Sequence, residues 1–274
     1  MTSHKPKILV LCDLKKSFKD TLKSSVSLAK LIDGEVTVFN AQNPNHVVEK
    51  DNQLSAIRAI NHNYISTNKI LEESTKRVSS DSKINVNYEF KLGVVKDEIA
   101  KFVNAFKPDV IVIGKRKSKF INFSGDNLTN FLLDSYSGPI LVTRRNHKLR
   151  EAKSMSLGIL DQTSSPKARD IFEKLRIHTE KPIKSFKIGS DANKTETNNT
   201  FVKNSMVEFV FEKNSNSIQN LSYYLEKNAI DLLYLDRTSH DTKTKGKTNQ
   251  ELSKLILKLN VPLLLLSNTK IQTA

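Results

Sequence analysis

Phe106-Lys107-Pro108-Asp109-Val110-Ile111-Val112-Ile113 and Asn228-Ala229-Ile230-Asp231-Leu232-Leu233-Tyr234-Leu235 are two readings of one phrase. Each places an aspartate before a run of four apolar residues. A continuous apolar run of that length suits a strand buried on both faces of a parallel sheet. The phrase extends outward in both directions. Downstream, Gly138-Pro139-Ile140-Leu141-Val142 aligns with Val261-Pro262-Leu263-Leu264-Leu265, an offset of 123. Upstream, Lys7-Ile8-Leu9-Val10-Leu11-Cys12 runs into Asp13, and Ser156-Leu157-Gly158-Ile159-Leu160 runs into Asp161, an offset of 148. The chain is therefore a tandem repeat. The second copy is shorter by 25 residues, about one helix, and the seam falls in the charged stretch from Arg144 to Lys153. The expected units are 1–148 and 149–274.

Between these anchors the period alternates. Ser17 to Ile32 carries Phe18, Leu22, Val26, Ala29 and Leu31 at helical spacing, with Ser17 as expected N-cap and Gly34 as stop. A strand over 35–40, a long helix over 50–79, an alternating strand over 84–92 with one wetter face, and a helix over 96–106 lead to the strand at 108–114. A helix over 124–134 and a strand over 139–143 close the first copy. The second copy predicts a helix over 167–176, strands at 183–188 and 207–211, and a helix over 218–228. The strand over 230–235, a helix over 250–259 and the strand over 261–266 then follow. The polar stretch 191–200 reads as a loop. Strands alternating with helices give right-handed crossovers and a layered, parallel α/β sheet.

Composition narrows the function. The chain has 274 residues, with 38% hydrophobic and 27% charged residues and a net charge of +15. No apolar run approaches the ~20 residues of a membrane helix, and the N-terminus lacks a signal-peptide pattern, so the expected compartment is the cytoplasm. One cysteine, Cys12, forms no internal disulfide, and the six histidines show no metal-ligand or catalytic spacing. No nucleophile has a partnered base, so no enzyme activity is expected. The charge excess divides as +10 through residue 150 and +5 from residue 151 onward, which reads as solvated helix faces and loops. Nonspecific nucleic-acid binding through this basic surface is the second alternative, and it lacks stacking aromatics and a motif.

KILVLCDLKKSF at 7–18, GVVKDEIAKFVNAFKPDVIVIGKR at 93–116 and SGPILVTR at 137–144 resemble the universal stress protein family in its tandem form. The resemblance implies two Rossmann-like domains of the adenine nucleotide alpha hydrolase-like kind. Each would hold a five-stranded parallel sheet of order 3-2-1-4-5, and the two would pack as a pseudo-dimer. It implies a switch point between the first and fourth strands, where open α/β sheets bind ligands, with Asp13 and Gly114 on the rim. Fifth strands commonly pair in this family, so 139–143 and 262–266 are expected to meet between domains, or to support a homodimer.

Nucleotide-binding members carry a loop G-x2-G-x9-G-[ST] after the fourth strand. Its glycines let backbone N–H groups reach the phosphates. Here Gly114 fits the first glycine and Lys117 replaces the second. Gly125 comes two residues early, and Asp126 stands where a hydroxyl belongs. Lys115, Arg116, Lys117 and Lys119 could attract an anion by charge alone. Asp13 reads either as the adenine–ribose contact or as a loop cap, and Val38 either as the adenine backbone contact or as core. The second copy offers only Gly246 and opposes phosphate with Asp236 and Asp241. The reading is a non-catalytic stress-response adaptor or sensor with no cofactor and a protein partner. ATP or AMP bound by the first domain is the alternative.

Overall fold

The computed structural model describes residues 5–44, 53–115, 127–147, 149, 155–160, 171, 174–179, 181–189, 206–237 and 245–266. Strands β1 (Lys7–Leu11), β2 (Glu35–Gln42), β3 (Val86–Leu92), β4 (Val110–Gly114) and β5 (Ile140–Thr143) form the first repeat with helices α1 (Phe18–Ile32), α2 (Gln53–Ser82), α3 (Val95–Phe106) and α4 (Asn127–Ser135). The second holds β6 (Leu157–Leu160), β7 (Ile183–Ile188), β8 (Met206–Phe211), α5 (Ser217–Lys227), β9 (Leu232–Asp236), α6 (Lys245–Lys258) and β10 (Leu263–Leu266). The expected helix over 167–176 lies mostly outside the described residues, and the loop at 191–200 lies wholly outside them.

All ten strands share one sheet, in the order β3-β2-β1-β4-β5-β10-β9-β6-β7-β8. Each half is the expected 3-2-1-4-5. Every neighbouring pair is parallel except β5–β10, which run antiparallel with Leu141 opposite Leu264. Those two leucines are counterparts at the offset of 123, so a pseudo-two-fold axis passes between them. The homodimer expected through the fifth strands is corrected by this join. The strands pair inside one chain, and β5 and β10 have β4 and β9 on their other sides, leaving no free edge there for a second molecule.

The faces follow from the pleat, which sends alternate residues to opposite sides. Ile8, Val10, Val36, Val38, Val110 and Val112 pack against Leu22 of α1 and Leu71 of α2. Leu9, Leu11, Phe39, Ile111 and Ile113 pack against Ile99 of α3 and Leu132 of α4 on the opposite face. Ser17 holds the expected N-cap position of α1 but makes no side-chain cap bond, and Gly34 lies just past the end as expected, behind Asp33, which takes the left-handed conformation at φ 54°. Gly34 is required for another reason: a Cβ there would stand 2.8 Å from the Pro6 carbonyl oxygen.

One device recurs in each repeat. The Lys7 amide donates to Asp109 Oδ2 at 2.8 Å, and the Ser156 amide donates to Asp231 Oδ2 at 2.9 Å. These are the aspartates of the repeated phrase, tying the fourth strand to the start of the first. Register then corrects one alignment. Ile8 faces Val110 and Leu157 faces Leu232, so Leu160 matches Leu11, one residue off the offset read from the two aspartates; Asp161 lies outside the described residues.

Candidate functional site

The carboxyl ends of β1 and β4 frame a crevice of ≈ 30 Å³, lined by Cys12, Asp13, Ser17, Thr21, Gly114 and Leu128 among others. The switch point thus brings Asp13 and Gly114 together. What stands over Gly114 is helix α1. A Cβ at this glycine would lie 2.6 Å from Thr21 Oγ1 and 3.3 Å from Ser17 Oγ, so its small size serves the packing of α1 onto β4. Thr21 Oγ1 donates to the Ser17 carbonyl at 3.0 Å and lies 2.9 Å from Thr143 Oγ1. The hydroxyls at the floor are thereby engaged with protein groups.

Asp13 Oδ1 accepts the Lys15 amide at 3.1 Å, an Asx turn that shapes the loop. Leu14 inside that turn has φ 56°, a left-handed conformation that is uncommon for a leucine. Beside it, the buried Asn40 side chain donates to the Cys12 carbonyl at 2.7 Å. Burial pushes the Cys12 thiol up to about 12, so the sulfur stays protonated and is a poor nucleophile. Val38 is fully buried in the core between Val10 and Tyr88. Lys117, Gly125 and Asp126 lie outside the described residues. Among the described residues, no group of three or more histidine, cysteine or acidic side chains is placed to hold a metal ion, and no helix is long and apolar enough to cross a membrane.

The Universal stress protein family model matches residues 6–144. The chain belongs to the universal stress protein family. Its fold is similar to that of a universal stress protein from Archaeoglobus fulgidus DSM 4304. The TM-score is 0.69 and the identity 12%, over 96% of this chain and 97% of that one. A functionally unknown protein from Pseudomonas aeruginosa PAO1 is similar with a TM-score of 0.53 at 11% identity, over 96% of this chain and 93% of its own. A member from Arabidopsis thaliana with AMP bound is matched over 52% of this chain and 92% of its own, at 16% identity and a TM-score of 0.37. No curated protein matches the chain.

In this universal stress protein, the residue directly after the fourth strand crosses to the other repeat. Lys115 Nζ donates to the carbonyls of Leu257 and Leu259, each at 2.7 Å, at the C-terminal end of α6. Its counterpart is Arg237. That guanidinium donates to Leu133, Tyr136 and Gly138 carbonyls at 2.5, 2.8 and 3.3 Å, at the C-terminal end of α4. The last four carbonyls of a helix lack intrahelical donors and carry the negative end of its dipole, so a cation there is favourable twice over. The exchange is reciprocal about the pseudo-two-fold axis. Burial pulls the Arg237 guanidinium below its ordinary value, yet an arginine remains charged. Sequence reasoning singled out Lys115 for anion attraction and passed over Arg237, Thr21, Thr143 and Asn40. The signal for Arg237 was present in the repeat: Gly114-Lys115 aligns with Asp236-Arg237 at the offset of the phrase itself.

Proposed function

We propose that this universal stress protein is non-catalytic and acts in the cytoplasm as a stress-response adaptor or sensor, meeting a protein partner through its surface, with its two domains dividing near residue 148. The observation that carries this reading is the approach of α1 to Gly114. Thr21 and Ser17 occupy the space over that backbone, and the crevice of ≈ 30 Å³ compares with roughly 300 Å³ or more for a small-molecule site. The bonding of Lys115 to α6 supports the same reading, because its ammonium faces the second repeat. Calorimetric titration with ATP and magnesium, and with AMP, is expected to give no saturable heat at about millimolar nucleotide. Micromolar binding that disappears in Asp13→Ala would overturn it.

A second reading, ATP or AMP in the first repeat, draws on one observation: Asp13 and Gly114 line the same crevice. It requires Thr21 to withdraw from Gly114. Under that reading Thr21→Ala strengthens nucleotide binding, whereas under the leading one it leaves the titration flat.

A further inference from the structure

The sheet ends in two edge strands, β3 and β8, and they are unlike. Edge strands present open backbone groups, and charge along the edge discourages pairing with another chain. β3 carries Glu89 and Lys91 in an ion pair at 2.8 Å. β8 reads Met206-Val207-Glu208-Phe209-Val210-Phe211, without proline, glycine or lysine. Its one charge, Glu208, is already paired to Lys187 of β7 at 2.5 Å. Val207 and Val210 are 45% and 63% exposed.

The direction of the open groups follows from one bond. The Gly189 amide donates to the Phe211 carbonyl at 3.0 Å, so Phe211 turns its backbone toward β7. Backbone direction alternates along a strand. Val207 and Phe209 therefore also face β7, and Met206, Glu208 and Val210 turn their N–H and C=O groups away from the sheet.

We propose that this outward edge of β8 pairs antiparallel with β8 of a second copy of the chain, about a two-fold axis. Register selects the arrangement. Centred on Glu208, the pairing would set two carboxylates directly opposite, which is destabilising. Centred on Phe209, it sets Glu208 opposite Val210 of the second copy and Phe209 opposite its own counterpart, a favourable aromatic cross-strand pair. The strand is self-complementary in that register, which is the reason for naming a second copy rather than a foreign strand. The same solution already operates inside the chain, where Leu141 of β5 meets its counterpart Leu264 of β10 across an antiparallel join.

Sedimentation velocity of the full chain between about 1 and 100 µM is expected to show a concentration-dependent dimer. With a net charge of +15 on each copy, the dimer tightens as added salt screens the repulsion. Val210→Pro removes an N–H that points away from β7, a place where an edge strand tolerates proline. It is expected to weaken the dimer by about tenfold or more, through two lost hydrogen bonds, with an unchanged melting curve at concentrations where both chains are monomeric. Phe209→Cys is expected to give a disulfide-linked dimer under mild oxidation, because a non-hydrogen-bonded antiparallel pair holds its Cα atoms ~4.5 Å apart, within disulfide range. A wild-type chain that stays monomeric across the range overturns the proposal. So does undiminished dimerisation of Val210→Pro, or a Phe209→Cys chain that never cross-links.

Discussion

Asp109 and Asp231 perform the same task in unequal surroundings. Asp231 is 3% exposed, whereas Asp109 is exposed. Removing the buried acceptor strands the Ser156 amide without water, and removing the exposed one lets solvent replace it. Asp231→Ala is therefore expected to cost about 1–3 kcal/mol and Asp109→Ala about 1 kcal/mol or less, read as denaturant midpoints at constant slope. The role of this pair was legible in outline, since the aspartate recurs at a fixed place in the repeated phrase. Its partner amide was not, because nothing in the order of residues says which backbone group 75 positions away is within reach. Gly114 carries the same lesson. Its position at the switch point could be read from the sequence, but the identity of its neighbour could not. A glycine that admits a phosphate and a glycine that admits a threonine hydroxyl are spelled alike.

The helices and edge strands of the two repeats depart from symmetry in a way that one deletion explains. Forty-three residues separate β2 from β3, and seventeen separate β7 from β8. In the first repeat α2 fills that interval and covers the face of β3 carrying Val86 and Phe90. β8 instead turns Phe209 and Phe211 to the opposite face, against Phe186 of β7 and Tyr224 of α5. Its other face bears the Lys187–Glu208 pair and the exposed Val210. The missing helix was evident from the offsets, but the reversal of the edge strand was not. Alternation reports a period of two, while which phase is wet depends on what covers it. The cation exchange belongs to this scale too. Arg237→Met is expected to cost about 1.5–3 kcal/mol, as the loss of charged hydrogen bonds to three carbonyls. Lys115→Met should cost about 0.5–2 kcal/mol, as the loss of a cation at a helix C-terminus. Arg237→Lys should recover only part of the loss, since an ammonium lacks the planar fork that spans several acceptors. Thermal unfolding of the three variants checks the order.

Across the whole molecule, the β5–β10 join makes ten strands one hydrogen-bonded body rather than two. Leu264 is fully buried at its centre. Leu264→Ala is expected to cost about 2–5 kcal/mol. Hydrogen exchange should show β4 and β9 losing protection together; protection lost on one side only would mean that the halves open independently. The repeat, its offsets and the alternation of strands with helices were readable, because dense apolar runs and a repeated phrase survive in a polar chain, while the strand order and the pairing of the fifth strands came from the family resemblance of 7–18, 93–116 and 137–144. The contents of the crevice were not readable, because they rest on single contacts between α1 and β4.

The axis between Leu141 and Leu264 also passes between α4 and α6, where Ser253 Oγ donates to Asn130 Oδ1 at 2.5 Å. These residues, too, are counterparts at the offset of 123. In an assembly of two identical chains, a residue on the axis can only meet itself, and every change arrives in duplicate. Written once into a single chain, the two sides of the axis become separate letters. One offers a hydroxyl and the other an amide, and a mutation on one side leaves the other as it was. Continuity of the backbone has therefore given this fold a right and a left hand, each free to acquire its own duties.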